Sequence, residues 1–199
     1  ETILPGNTAS LDLFWNQNLR SQEKGRMFEE RNSALYYKFV GSDVDHLSES
    51  KDEQETISLG LKWIGYKNQF FSSALIPDGK FNGALIRSGM NNDPAYLKNF
   101  HTETTVDYNP ADNNGPGFRF YLGPNLYPLL HSYDKGVDDD KALDLDKLVP
   151  LGFKFFRWIN TWIIIPIFTF LGKYIANYGI IILLMTIIIK IFLAPLTFK

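Results

Sequence analysis

The chain has 199 residues, a formal net charge of -2 and a sequence pI of about 5.9. This charge balance gives no indication of a nucleic-acid partner. Because the chain has no cysteine, disulfides, thiol catalysis and cysteine-bound metals are excluded. Residues 1–147 are mostly polar, whereas charged residues are few after Val149. The chain opens without a methionine or a leader and ends inside an apolar run, which is typical of a piece of a longer protein.

The first 40 residues contain two aromatic-rich runs, "LDLFW" and "ALYYKFV", on either side of the charged stretch "RSQEKGRMFEER". Alternation of apolar and polar residues in the two runs predicts strands joined by a polar connection. Residues 41–56 are acidic and almost devoid of core residues, which predicts a solvated loop or hairpin tip.

Residues 61–124 give the clearest strand pattern. Aromatic and aliphatic runs are interrupted at Asp78–Gly79 and Asn82–Gly83, and these dipeptides favour tight turns. Further strands are predicted in "HTETTVDYNP" and "FRFYLGP". Short strands with Gly and Pro punctuation predict an antiparallel β-sandwich, here assigned to residues 1–142.

Residues 143–176 change character from charged to aromatic. We expect a connector followed by a helix that lies along a membrane surface and is interrupted at Pro166. Aromatic and basic residues together are typical of the headgroup region, and we predict membrane-interface anchors at Trp158, Trp162 and Arg157.

Residues 177–199 are long and aliphatic enough to predict a transmembrane helix. Lys190 lies within this run, and Thr186 precedes it by one helical turn, so both lie on one face. An intramembrane lysine costs about 2.5–3.5 kcal/mol at the helix centre, so such residues usually face water or other helices. The other interpretation is that the lysine bends toward the nearer interface. Spacing alone leaves both open.

No arrangement typical of an enzyme or a metal site is found in the sequence. The acidic residues that start at Asp43 fail the calcium-loop pattern, because Leu47 and Ser48 occupy its fifth and sixth positions. The three histidines, His46, His101 and His131, match no metal-binding spacing. We therefore predict no catalytic residue, no metal and no cofactor.

Four long stretches of the sequence resemble the YidC-type membrane protein insertases of Gram-negative bacteria, and they follow one another in the same order as in that family. They are "LKWIGYKNQFFSSALI", "FRFYLGPNLYPLLHSYDKG", "LDLDKLVPLGFKFFRWIN" and "NYGIIILLMTIIIKIFLAPLTFK". The resemblance implies the C-terminal portion of a periplasmic β-supersandwich, similar to galactose-mutarotase folds, followed by an amphipathic helix and the first core membrane helix. It also implies a multi-pass protein of the bacterial inner membrane with residues 1–147 in the periplasm.

The resemblance implies a function as well: insertion and folding of inner-membrane proteins, alone or with the Sec translocon, without covalent chemistry. Nascent membrane proteins and the lipid bilayer are the implied partners, and a ribosome contact would use regions outside this chain. A positive residue in a hydrophilic groove corresponds to Lys190, and the polar groove position corresponds to Thr186. The family usually has arginine there, and lysine keeps the charge but loses the planar fork.

A second hypothesis is a membrane-tethered carbohydrate-binding or mutarotase-like β-sandwich domain. It requires His101 or His131 to converge with a carboxylate in a pocket, and a simple tether has no need of Lys190.

Overall fold

The computed structural model of the protein describes residues 9–109, 115–152 and 158–197, apart from the side chains of residues 192, 193 and 195–197. The chain divides into two compact units, Glu1–Val149 and Pro150–Lys199. The described ranges contain no helix that is both long and apolar enough to cross a membrane.

The described part of the first unit forms nine β-strands, and all of their pairings are antiparallel. They are β1 (Ala9–Arg20), β2 (Ala34–Phe39), β3 (Val44–His46), β4 (Glu53–Ile57), β5 (Leu61–Lys67), β6 (Phe71–Pro77), β7 (Phe81–Met90), β8 (Tyr96–Tyr108) and β9 (Phe118–Pro124).

The strands form two layers, and one short strand pairing joins the two layers into a single sheet. The first layer has the order β1-β8-β7-β4, and the second has the order β3-β2-β5-β6-β9. They join where Leu61 of β5 pairs with Phe81 of β7. This antiparallel arrangement is consistent with the predicted β-sandwich.

The join depends on a bulge at Gly83. The register of β7 against β8 shifts between Phe81 and Ala84, after which Ala84 pairs with Ile57 of β4. Gly83 has a φ of 144°, and a Cβ placed on it would lie 2.5 Å from the Ile57 carbonyl oxygen. Only glycine fits this position without strain. The prediction of a turn at Asn82–Gly83 is therefore wrong, whereas Asp78–Gly79 does separate β6 from β7.

One hydrophobic core lies between the two layers. Trp15 of β1 stacks on Tyr66 of β5 at 3.8 Å between ring centroids, and the Tyr66 hydroxyl donates to the Trp15 carbonyl oxygen at 2.7 Å and lies 2.8 Å from the Thr102 hydroxyl of β8. The buried members of this core are Leu19, Leu35, Tyr37, Leu47, Ile57, Leu61, Ile64, Tyr66, Phe81, Ala84, Ile86, Leu97, Phe100 and Val106.

A second core covers the other face of the second layer. Its buried members are Ala34, Tyr36, Trp63, Ala74, Ile76, Tyr121, Leu130, Leu145 and Leu148. β2 and β5 are thus buried on both faces, which explains their nearly continuous apolar sequence.

Three short helices complete the described part of the first unit. They are α1 (Arg26–Arg31), α2 (Tyr127–Ser132) and a 3-10 turn at Leu145–Leu148. The connection after β1 therefore contains a helix. The prediction that residues 41–56 form a loop is wrong in part, because β3 and the start of β4 lie there.

The second unit contains a π-helical turn at Asn160–Ile164, α3 (Ile165–Gly172) and α4 (Tyr178–Thr197). The helical backbone continues through Pro166, which lies in the first turn of α3, and its departure from ideal α-geometry is the π-helical turn just before this proline. The Asn177 side-chain oxygen accepts a hydrogen bond of 2.9 Å from the Gly179 amide and thereby caps α4.

Candidate functional site

The predicted polar pair, Thr186 and Lys190, lies on an exposed face of α4. The buried side chains of the described part of this helix are Ile181 and Met185. Because residues in an α-helix are 100° apart, Lys190 points about 180° away from Ile181. The helix therefore packs by one face and presents the polar pair on the opposite face.

Thr186 is only partly available as a free polar group. Its hydroxyl donates to the Ile182 carbonyl oxygen at 2.8 Å, one turn earlier in the same helix. This bond satisfies the hydroxyl proton in an apolar environment, and the oxygen lone pairs remain open to a further donor. Lys190 supplies the positive charge on the same face.

The three predicted interface anchors fall on the segment before α3. Trp158 and Trp162 are both exposed, whereas Arg157 lies outside the described residues. The Phe168 ring of α3 stacks on Tyr178 at the start of α4, with the ring centroids 6.0 Å apart. This stack links the aromatic segment to the helix that carries Lys190.

No motif in the sequence indicates the ion pair that fixes residues 143–148, the segment just before Val149, to the β-sheet. The Lys38 ammonium, buried on β2, donates to Asp144 at 2.5 Å and to the Ser42 carbonyl oxygen at 2.9 Å. Although burial alone would raise the pKa of Asp144, the hydrogen bond and charge of Lys38 and the charge of Lys147 hold that pKa below its usual value.

Asp134, Asp144 and Asp146 bring three carboxylate oxygens within 4.8 Å of one another. Two of the three carboxylates are held by donors of the protein itself. Asp134 accepts from the amides of Leu143 and Asp144, at 2.6 Å each. With the two lysines beside Asp144, the cluster is held by protein donors and serves to fix the backbone.

Two histidines do meet carboxylates, but on open surfaces. His101 Nε2 lies 2.7 Å from Glu103 on the outer face of the first layer, and His131 Nδ1 lies 3.2 Å from Asp146. Neither histidine lines any of four cavities in the described part of the chain, which have volumes of about 300–570 Å³. The pocket that the mutarotase-like hypothesis requires is not formed by these pairs.

Residues 9–169 match the family model of the YidC periplasmic domain. The chain belongs to this family. The matched range contains the nine strands and most of α3.

Curated relatives extend the similarity to the end of the chain. Membrane protein insertase YidC of Parabacteroides distasonis is 50% identical over 99% of this chain and 31% of that protein. The proteins of the same name from Azobacteroides pseudotrichonymphae and Porphyromonas gingivalis are 47% and 41% identical over 100% of this chain. This chain covers 33% and 32% of them, and thus spans about a third of the relatives it matches.

Proposed function

We propose that this chain is part of a membrane protein insertase that helps inner-membrane proteins to insert and fold. The similarity to membrane protein insertases YidC, which runs through α4 as well as the β-domain, carries this proposal. The proposed clients are nascent membrane proteins, received directly or from the Sec translocon.

In this proposal α4 is the first core helix of the longer protein and enters the bilayer. Its aliphatic side chains support this, because Ile182, Leu183 and Ile191 are exposed without any polar covering from the described residues. Further helices of the longer protein would then meet the face that carries Thr186 and Lys190, and form a hydrophilic groove with it. Polar client segments would exchange bulk water for this groove, which lowers the desolvation cost of crossing.

Lysine in place of the family's usual arginine supplies the same charge in a different form. It attracts acidic client segments as a point charge, whereas arginine can grip a carboxylate with two parallel hydrogen bonds. We expect Lys190→Arg to preserve insertion, and Lys190→Gln to reduce it most for clients with acidic segments.

The proposed location is the bacterial inner membrane, with residues 1–147 in the periplasm as a supersandwich domain. Trp158 and Trp162 suit the headgroup region, because an indole ring has an apolar body and a polar N–H. The Arg157 position is assigned the same role from its sequence context.

The test uses photo-crosslinking in the full-length protein that contains this chain. A photo-reactive residue is placed at Thr186, and the matched control is Ile187, which is also exposed but points 100° away around the helix. A ribosome-bound single-span client is then stalled during synthesis. We expect client crosslinks at position 186 during insertion and lipid crosslinks at position 187. Lipid crosslinks at both positions, with normal insertion, would refute the groove.

A further inference from the structure

α1 has an inverted distribution of polar and apolar side chains. Glu29 is its buried residue, at 1% exposure, whereas the adjacent Met27 and Phe28 are 67% and 63% exposed. A surface helix ordinarily turns its apolar side chains to the core. Here the two most apolar side chains point away from it and contribute little to the stability of the first unit.

Hydrogen bonds on the inner side hold α1 firmly in this orientation. The Glu29 carboxylate accepts from the Ser21 hydroxyl at 3.1 Å and from the amides of Gln22 and Glu23 at 3.0 and 3.2 Å. The Arg26 guanidinium donates to the Asn91 carbonyl oxygen at 2.9 Å and to Glu30 at 2.6 Å. The exposed pair is therefore presented by a fixed helix, and docking it onto a partner costs little conformational entropy.

Exposed basic residues precede and follow the exposed pair in the sequence. Arg20, Lys24 and Arg31 are exposed and make no ion pair within the described part of the chain. Between residues 20 and 31, Glu23 is the one acidic residue that is likewise exposed and without an ion pair to the described residues. Lys24 lies three residues before Met27, and Arg31 lies three residues after Phe28. The surface of α1 is thus apolar at its centre and positive at its edge.

We propose that α1 docks onto a bilayer surface that carries anionic headgroups, with Met27 and Phe28 inserted between the lipids and the basic residues at the phosphates. Apolar side chains bordered by Lys and Arg are what such a surface binds. The inference rests on the proposed position of the first unit beside the inner membrane, because there the bilayer is always within reach of the domain.

The size of the surface favours lipid over a protein partner. A specific protein interface buries about 800 Å² on each partner, built around a packed centre. A helix of six residues with two exposed apolar side chains offers far less than that, and neither side chain lines any of the four cavities described above. A fluid bilayer needs no complementary shape and accepts single side chains.

The test places an environment-sensitive fluorophore at Met27→Cys in the full-length protein, in a background without other cysteines. The matched control is Leu59→Cys, because Leu59 is similarly exposed, at 66%, and lies between β4 and β5, outside α1. Both proteins are placed in nanodiscs of phosphatidylcholine, or of an equal mixture with phosphatidylglycerol. Lipids with brominated acyl chains then quench any fluorophore that enters the bilayer.

We expect quenching at position 27 and not at position 59, and only with phosphatidylglycerol. We then remove two basic residues from the Met27→Cys protein by Lys24→Gln and Arg31→Gln. The ratio of docked to undocked protein should fall roughly thirtyfold, because each basic residue near an anionic surface raises this ratio by about a factor of five. Quenching that is absent, or equal without phosphatidylglycerol, would overturn the proposal. A blue-shifted fluorophore without quenching would overturn it too, because protein would then cover α1.

This outcome is distinguishable from a failure of the proposed function. Client crosslinks at Thr186 report the insertase groove whether or not α1 docks. Normal crosslinks without quenching at position 27 would reject docking alone.

Discussion

Lys98 of β8 is a buried lysine whose titration should be visible in the stability of the first unit. Its side chain is 1% exposed, and its ammonium donates to the Ser33 carbonyl oxygen at 2.6 Å and the Glu49 carbonyl oxygen at 2.8 Å. Burial lowers the pKa of Lys98 to about 8, although the charge of Glu49 opposes this shift. The perturbation is Lys98→Met, which keeps the length of the side chain and removes the titration.

The direction of the effect follows from proton binding. Between about pH 8 and the ordinary value of 10.5, the unfolded chain keeps a proton on Lys98 that the folded chain has released. Stability therefore rises with pH in this window, by about 3 kcal/mol in full. Between about pH 7.5 and 9.5 the expected rise is about 2 kcal/mol.

The assay is urea unfolding of the first unit in the detergent-solubilised full-length protein, read by pulse proteolysis at intervals across this pH range. Lys98→Met should remove most of the rise. A small rise should remain, because burial also lowers the pKa of Lys67. Measurements stop below pH 10. Burial raises the pKa of Tyr66, so above this pH only the unfolded chain would lose the tyrosine proton, and the free energy of unfolding would fall.

The control is Lys51→Met, because the Lys51 side chain is largely exposed. This variant should retain the full rise. An equal rise in Lys98→Met and the wild-type protein would refute the reasoning, since the pH dependence would then come from other groups. A flat profile in the wild-type protein would show that Lys98 titrates as it does in water.

Two further predictions concern the join between the layers and the ion pair with Lys38. Gly83→Ala should destabilise the first unit by roughly 2 kcal/mol in urea unfolding, because the added methyl meets the Ile57 carbonyl oxygen. Gly79→Ala, which meets no atom within 4 Å, should change stability by less than about 0.5 kcal/mol. Asp144→Asn should cost about 2 kcal/mol at neutral pH, less than for a fully buried pair because Asp144 is partly exposed. Since the pKa of Asp144 is lowered in the folded state, this difference should shrink as the pH falls below 3.8, and a constant difference would contradict it.

Strands that bury apolar side chains were predictable from the sequence, and strands paired only at polar positions were not. β5, β6, β8 and β9 carry alternating or continuous apolar residues, which the sequence pattern detects. β4 reads "EQETI" and has one apolar residue, so it looks like a loop. β4 is held in the sheet by its pairing with β7 and by the Tyr37 hydroxyl, which donates to Glu55 at 2.8 Å. Such contacts join residues distant in sequence and leave no local signal.

The same distinction applies to the functional residues. The spacing of Thr186 and Lys190 predicted one shared face, because helical periodicity is local. The pair of Lys38 and Asp144 spans 106 residues and has no motif. The exposed face of α1 had a weak signal in "GRMFEER", where two apolar residues lie between charges without alternation. Only the burial of Glu29 shows that these two apolar residues face outward.

The segment just before Val149 is both a part of the second core and the covalent route to the second unit. The Trp63 indole N–H donates to the Leu143 carbonyl oxygen at 2.6 Å, and Leu145 and Leu148 are fully buried. Removing these residues would expose the outer face of β2 and β5 to solvent. They therefore contribute to the stability of the sheet and are not only a connection to the second unit. Leu148 lies two residues before Pro150, where the second unit begins, so a buried member of the second core almost directly precedes the boundary between the units. The pair of Lys38 and Asp144 lies at the start of this segment and ties it to β2, so the connection between the units begins from a point that is fixed to the sheet.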